Sequence, residues 1–224
     1  MKIEARFRRR ANLSESVDNL NCEIISRLSK IDGLWDIEKE IFDVQLNKGR
    51  GESAAIDISM CLQRGMRGAI SYTSRLSKSL SDKAIYDDTF FIQMSTDSIE
   101  YKSFARKSFS EIVKVFGAYR ASIVTDLDQD LDDFEDIIEE AQRTNKDVDG
   151  RDTVFRIYPV NYFDDLLCGR ALELAANQVV EKLMGSIVLA ENFQSGVLII
   201  ASDEPLVGME LVALNGEIRG LLKL

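Results

Sequence analysis

Apolar residues in this chain recur either every second residue, as in strands, or every three to four residues, as in helices. Segments of the two kinds are interspersed along the sequence in no regular order. Residues 2–8 alternate apolar and polar positions, which predicts a strand with one solvated face. Residues 17–31 carry an apolar stripe at helical spacing, which predicts a helix capped by Ser14 or Ser16 and ended by Asp32-Gly33. A mixture of this kind predicts an α+β fold, with a mixed, largely antiparallel sheet packed with helices.

The same patterns place the remaining elements. Strands are predicted over residues 86–94, 121–124, 153–160, 197–201 and 217–222, and helices over residues 53–66, 104–116 and 206–214. Residues 172–184 indicate a helix that runs into a strand, residues 34–46 suit either structure, residues 68–83 suggest a loop, and a helical turn is expected at Asp164-Asp165. Only two prolines are present, and neither lies in a linker, so one domain is expected across residues 1–224.

The chain has no histidine, which restricts its chemistry. Ser-His-Asp and Cys-His nucleophilic sites, His-ligated zinc and histidine acid–base catalysis are all excluded. Cys22, Cys61 and Cys168 are widely spaced and odd in number, which favours a reducing cytoplasmic compartment and thiols that behave as small, interior or half-buried apolar groups. No signal peptide, membrane span, metal or cofactor is expected, and the protein is predicted not to be an enzyme.

Residues 126–149, called the acidic segment below, carry nearly all of the net charge. The segment contains eleven acids and two bases, a charge of −9, whereas the whole chain has 38 acids and 28 bases, a charge of −10. The acidity of the protein is therefore a local property of this stretch.

Three interpretations of the acidic segment are open. Leu127, Leu131, Phe134 and Ile138 recur every three to four residues, which predicts an amphipathic helix with an acidic outer face in solvent. Asp128, Asp130, Asp132 and Glu139 match the first, third, fifth and twelfth positions of an EF-hand calcium loop, but Asp133 stands where that loop needs glycine.

The third interpretation is an electrostatic surface that captures a basic protein partner. The candidate partner-binding residues are nine acids: Asp126, Asp128, Asp130, Asp132, Asp133, Glu135, Asp136, Glu139 and Glu140.

Other charged groups favour structural roles. Arg6 and residues 8–10 form a small basic cluster that suits nucleic acid or a membrane, but charge protecting an edge strand explains it as well, and the net charge of −10 opposes duplex binding. The pairs Asp87-Asp88 and Asp164-Asp165 are conceivable metal or glycosidase carboxylates, but adjacent acids are common at turns and helix starts. No nucleic acid or membrane partner is expected.

Five features of the chain carry a family resemblance. They are an N-terminal strand, a helix starting near residues 12–16, the single Trp35, the segment 195–200 and the closing segment 215–219. In these the chain resembles the immunity protein 52 family of bacterial polymorphic-toxin and type VI secretion systems. The resemblance implies a cytoplasmic antitoxin that binds and inhibits a cognate toxin, a nuclease with a basic cleft. A carboxylate-dependent metalloenzyme and a calcium-binding module are the alternatives.

Overall fold

The computed structural model describes residues 1–36, 47–48, 53–76 and 82–224, with only the backbone of residues 47–48. Its contacts divide the chain into two compact units, Met1–Ala118 and Tyr119–Leu224. The prediction of one domain across residues 1–224 stays a prediction. Most of the segment 34–46, predicted as helix or strand, lies outside the described residues.

The first unit contains five described strands and the helices that cover them. In chain order the strands are β1 (Lys2–Arg10), β2 (Asn47–Lys48), β3 (Ala54–Asp57), β4 (Met66–Tyr72) and β5 (Asp87–Ser95). The helices are α1 (Val17–Leu28), a 3-10 turn (Ala84–Tyr86), α2 (Tyr101–Ser103), a π-helical turn (Phe104–Ser108) and α3 (Phe109–Phe116). The strands are ordered β2-β3-β4-β5-β1 and every pair among them is antiparallel.

Aromatic side chains join sheet and helix in the core of the first unit. The alternation along β1 turns Ile3, Ala5 and Phe7 inward, as its period-two pattern predicted. Phe7 stacks on Phe90 of β5 with ring centroids 5.4 Å apart, and Phe109 of α3 lies 5.3 Å from Phe7. The strand predicted over residues 2–8 and the helix predicted over residues 104–116 are therefore both confirmed, and they pack together through Phe7 and Phe109.

The second unit contains four strands and four helices. In chain order they are β6 (Arg120–Val124), α4 (Leu127–Thr144), β7 (Val160–Asp164), α5 (Asp165–Leu167), a π-helical turn (Cys168–Leu172), α6 (Ala176–Leu183), β8 (Leu189–Phe193), β9 (Gly196–Ile200) and α7 (Gly208–Leu222). The strands are ordered β6-β7-β9-β8 with antiparallel pairing, and α6 and α7 contribute to one apolar core with β7 and β9. The α+β class is confirmed, and the strand pairs within each unit are antiparallel.

Three predictions in the first unit need correction. Residues 53–66, predicted as helix, begin with β3 and continue as turns, and β4 occupies residues 68–72 of the loop predicted over residues 68–83. In β4 the inward residues are Met66, Gly68, Ile70 and Tyr72, so the polar residues between them occupy the other face. The alternation of inward and outward residues in β4 was not recognised, because serine and arginine suggested a loop. Strands tolerate such residues on a solvated face. Helix α1 also ends at Leu28, before Asp32-Gly33.

Three predictions in the second unit also need correction. Residues 217–222 continue α7 instead of forming a strand, and the strand after α6 is the separate β8. Of the strand predicted over residues 153–160 only Val160 belongs to β7. Arginine side chains bind the backbone of this stretch: Arg219 donates to the carbonyls of Val154 and Phe155 at 3.1 and 3.0 Å, in place of a neighbouring strand.

The three cysteines form no disulfide bond with one another, and their thiols differ in access to solvent. Cys61 and Cys168 are buried, whereas Cys22 on α1 is exposed, so the expectation of an interior or half-buried position is wrong for Cys22. Burial, with the nearby charges of Asp164 and Asp165, raises the pKa of Cys168 to about 12. Because the thiolate is the reactive form, Cys168 is protected by its pKa as well as by access.

We expect an aromatic disulfide reagent at neutral pH to label one thiol rapidly in the folded protein, and the other two only after unfolding. The Cys22→Ser variant should lose the rapid phase and keep the slow one. Rapid labelling of a second thiol in the folded wild-type protein would contradict the buried positions of Cys61 and Cys168.

Candidate functional site

Helix α4 carries most of the acidic segment, and its first turn is fixed by Asp126. The Asp126 carboxylate accepts hydrogen bonds from the backbone N–H of Gln129 at 3.0 Å and of Gly208 at 2.8 Å. These two bonds lower the pKa of Asp126 below its ordinary value. Asp126 therefore caps α4 and ties its start to the start of α7.

Two further acids hold α4 against the rest of the second unit. Asp133 is only 5% exposed, and its carboxylate accepts bonds of 2.5 and 2.6 Å from the guanidinium of Arg156. Asp130 accepts a 2.6 Å bond from the hydroxyl of Tyr158. The hydrogen bonds that Arg156 donates to Asp133 raise the pKa of Arg156 above its ordinary value, so the guanidinium stays charged. Acidic side chains therefore make specific contacts on the side of α4 that packs on the protein, and Asp133 is the buried residue of this helix.

Apolar side chains consequently occupy the exposed surface of this helix. Leu131 is 71% exposed, Phe134 57% and Ile138 39%. The predicted helix is confirmed and carries acids on its outer face as expected, but three of its four periodic apolar residues are exposed as well. Of the four periodic apolar residues, Leu127 packs against a core cluster with Val124 and Leu211. The other three form what we call the apolar ridge, Leu131, Phe134 and Ile138.

Five of the nine predicted site residues are free to meet a partner. All five are exposed, and none of their carboxylates has a hydrogen-bond or ion-pair partner in the part of the chain that the structure describes. We call them the acidic strip: Asp128, Asp132, Glu135, Asp136 and Glu139. At 1.5 Å rise per residue the strip extends over about 17 Å of helix.

The remaining predicted residues are already engaged. Asp126, Asp130 and Asp133 bind the second unit as described, and Glu140 pairs with Arg143 one turn along α4. The structure therefore separates the nine acids into four with internal partners and five without. The apolar ridge was missed as a surface because its periodicity is the same as that of a buried helix face.

The acids that follow α4 also have internal roles. Asp149 forms an ion pair with Arg120, a buried residue of β6, and accepts a 3.1 Å bond from the N–H of Phe155. Burial alone lowers the pKa of Arg120, but the charge and hydrogen bond of Asp149 raise it above its ordinary value. Asp147 accepts a 2.9 Å bond from the N–H of Arg151. The two aspartates organise the loop after α4.

The described residues do not form a suitable site for either metal-based alternative, the calcium-binding module or the carboxylate-dependent metalloenzyme. The four positions matched to a calcium loop lie within α4, where successive side chains point 100° apart and do not converge on one ion. Asp88 is bound by Arg9 and Arg75, and Asp164 caps α5 through the N–H of Leu167 at 2.8 Å. In the described ranges no three Cys, Asp or Glu residues gather in a way that could hold a metal ion.

Two grooves, one in each unit, are lined by both acidic and basic side chains, so neither favours a ligand of one charge. A groove of about 670 Å³ lies beside the C-terminal half of α4, with Asp136 and Glu139 on one wall and Arg219 on another. A groove of about 850 Å³ in the first unit is lined by four basic and three acidic side chains. No described helix is long and apolar enough to cross a membrane. The outer surface of α4 is therefore the candidate site.

Comparison of the chain with known protein families gave no matching family model, and comparison with curated proteins gave no significant match.

Proposed function

We propose that this protein is an immunity protein, a cytoplasmic antitoxin that binds a cognate secreted toxin and inhibits it without catalysis. The observation that carries the proposal is the acidic strip, five carboxylates on one helix with no partner in the described residues. Like charges at neighbouring helical positions repel one another by a few tenths of a kcal/mol per pair. A basic partner removes that repulsion on binding.

A nuclease toxin would provide a positively charged surface complementary to the acidic strip. An enzyme that binds nucleic acid needs a basic cleft for the phosphates. An acidic helix placed against that cleft excludes the substrate and is attracted by the same field. The resemblance to the immunity protein 52 family supports the same partner, and the absence of histidine from the chain suits an inhibitor.

The test begins with the product of the neighbouring gene. We expect it to form a one-to-one complex with this protein on size-exclusion chromatography with light scattering, and we expect co-expression to relieve its toxicity in growing cells. Absence of a complex, or a metal-dependent activity of this protein alone, would overturn the proposal.

A charge-reversal variant then tests the acidic strip. Asp132, Glu135, Asp136 and Glu139 are changed to Lys, while Asp128 is kept because it favours the helix dipole in the first turn. We expect toxin association to slow by about 10- to 100-fold at low salt, with a weaker dependence on salt.

The matched control makes the same change in net charge at exposed acids elsewhere in the second unit. It replaces four residues with Lys: Glu181, Glu191, Glu204 and Glu217. We expect this control to associate within about threefold of the wild-type rate. Salt screens charges that lie far from the contact, so they affect the association rate less than charges at the contact do. Equal slowing in the two folded variants would place the contact away from α4.

A further inference from the structure

The apolar ridge lies directly beside the acidic strip on α4. Leu131, Phe134 and Ile138 are spaced i, i+3 and i+7, so their side chains lie on one side of the helix. At 3.6 residues per turn, this side lies between the acidic strip and the side that carries Asp133. An apolar surface and an unpartnered charged surface are therefore adjacent.

The orientation of α4 keeps the apolar ridge outward. Rotating the ridge into the protein would pull Asp133 away from Arg156 and Asp130 away from Tyr158. It would also break the two hydrogen bonds that the Asp126 carboxylate accepts from the N–H groups of Gln129 and Gly208. The exposure of Phe134 is thus maintained by the contacts that Asp130 and Asp133 make on the neighbouring, inward side of the helix.

We infer that the apolar ridge anchors the toxin complex, in an apolar groove of the partner whose rim carries Lys or Arg beside the acidic strip. This inference rests on the proposed function and assigns different roles to the two surfaces. Exposed charges act mainly on the association rate, whereas a buried aromatic anchor acts mainly on the dissociation rate. Residues at i, i+3 and i+7 are the contacts that a helix makes in such a groove.

Charge complementarity selects this partner over two others. Two copies of the chain that met ridge to ridge would bring two acidic strips together, each with five carboxylates. An anionic membrane surface would repel the strip in the same way. A protein groove with a basic rim accepts both the ridge and the strip.

The experiment separates the two rates with the catalytically inactivated neighbouring gene product as the probe, in surface plasmon resonance. We expect Phe134→Ala to raise the dissociation rate about 30-fold or more and to change the association rate by less than about threefold. Leu131→Ala should act in the same direction. Met184→Ala, at an apolar residue of the same unit that is 70% exposed, is the control and should change neither rate by more than about threefold.

The acidic strip should show the opposite behaviour when it is neutralised without a change in shape. The variant Asp132→Asn, Glu135→Gln, Asp136→Asn and Glu139→Gln is expected to slow association about tenfold at low salt and to leave dissociation within about threefold. Circular dichroism confirms that each variant is folded before its rates are compared.

The outcomes distinguish this inference from the proposed function. A tight complex whose dissociation is unchanged by Phe134→Ala and Leu131→Ala overturns the anchor and leaves the proposed function intact. Failure of the wild-type protein to bind the probe overturns both. Dimerisation of the protein alone that Phe134→Ala abolishes, or binding to vesicles of anionic lipid, assigns the ridge to another occupant and also overturns the inference.

Discussion

The Asp133→Ala variant is expected to lose about 3–5 kcal/mol of unfolding free energy, because it leaves the guanidinium of Arg156 buried without its partner. Asp133 and Arg156 have side chains only 7% and 10% exposed and form two bonds of 2.5 and 2.6 Å. Gln129 also donates to Asp133 at 3.0 Å. The loss should appear as a lower midpoint in urea denaturation followed by far-ultraviolet circular dichroism.

The neighbouring residue provides the control for this effect. Asp132 has the same side chain on the same helix, but it is exposed and has no partner in the described residues. Asp132→Ala should therefore change stability by no more than about 0.5 kcal/mol. A double variant, Asp133→Leu with Arg156→Met, should recover most of the loss because no buried charge is left unpaired. Similar stabilities for Asp132→Ala and Asp133→Ala would contradict the structural role of Asp133.

This difference matters for any mutational study of the acidic segment. A charge reversal at Asp133 destabilises the attachment of α4, so a loss of binding to the proposed partner would report on folding. The acidic strip supplies positions where a loss of binding reports on the partner.

The Asp88→Ala variant is expected to destabilise the first unit by about 3–5 kcal/mol as well, since two arginines depend on this carboxylate. Asp88 is fully buried and accepts bonds from Arg75 at 2.8 and 2.6 Å and from Arg9 at 2.9 Å. The N–H of Thr73 donates a further bond of 3.0 Å. Removing the carboxylate takes this acceptor from all of these donors and leaves Glu15 as the remaining acidic partner of the two arginines in the described residues.

Trp35 is the only tryptophan, it is buried in the first unit, and its fluorescence reports the unfolding of that unit. Asp88→Ala should shift this transition to lower denaturant. Asp97→Ala is the control, because its side chain is 86% exposed and has only weak contacts in the described residues. These are an ion pair with the N-terminal amine at 3.9 Å and a 3.4 Å bond from the hydroxyl of Ser95, so its loss should cost at most about 1 kcal/mol. A fluorescence transition of Asp88→Ala that coincides with the wild-type transition would contradict the prediction.

The basic cluster near the N-terminus shows that a local sequence pattern does not identify distant ion-pair partners. Arg9 lies among the arginines that suit nucleic acid or strand protection, yet it binds Asp88 and Glu15. Asp88 is 79 residues from Arg9 along the chain, and no local spacing signals that pair. Adjacent acids at a turn favour a structural role for Asp87-Asp88, but no sequence pattern identifies the arginines that bind Asp88.

Elements with an undisturbed apolar period were predictable from the sequence alone. Strand β1, helix α3, strand β9 and helix α4 follow directly from side chains that alternate or recur every three to four residues. The errors fell where the period was obscured. β4 carries polar residues on one face, and the stretch before β7 has its carbonyls bound by Arg219 instead of by a strand.

By itself the sequence determined that the acidic segment is a helix and that nearly all of the net charge lies there, because helix periodicity and charge are local properties. Only the tertiary structure decided which side of α4 faces inward. Arg156 and Tyr158 lie 23 and 28 residues from the acids they bind, so that choice depends on contacts between distant residues. Two buried donors hold Asp133 and Asp130 inward, and the apolar ridge is exposed beside the acidic strip as a consequence.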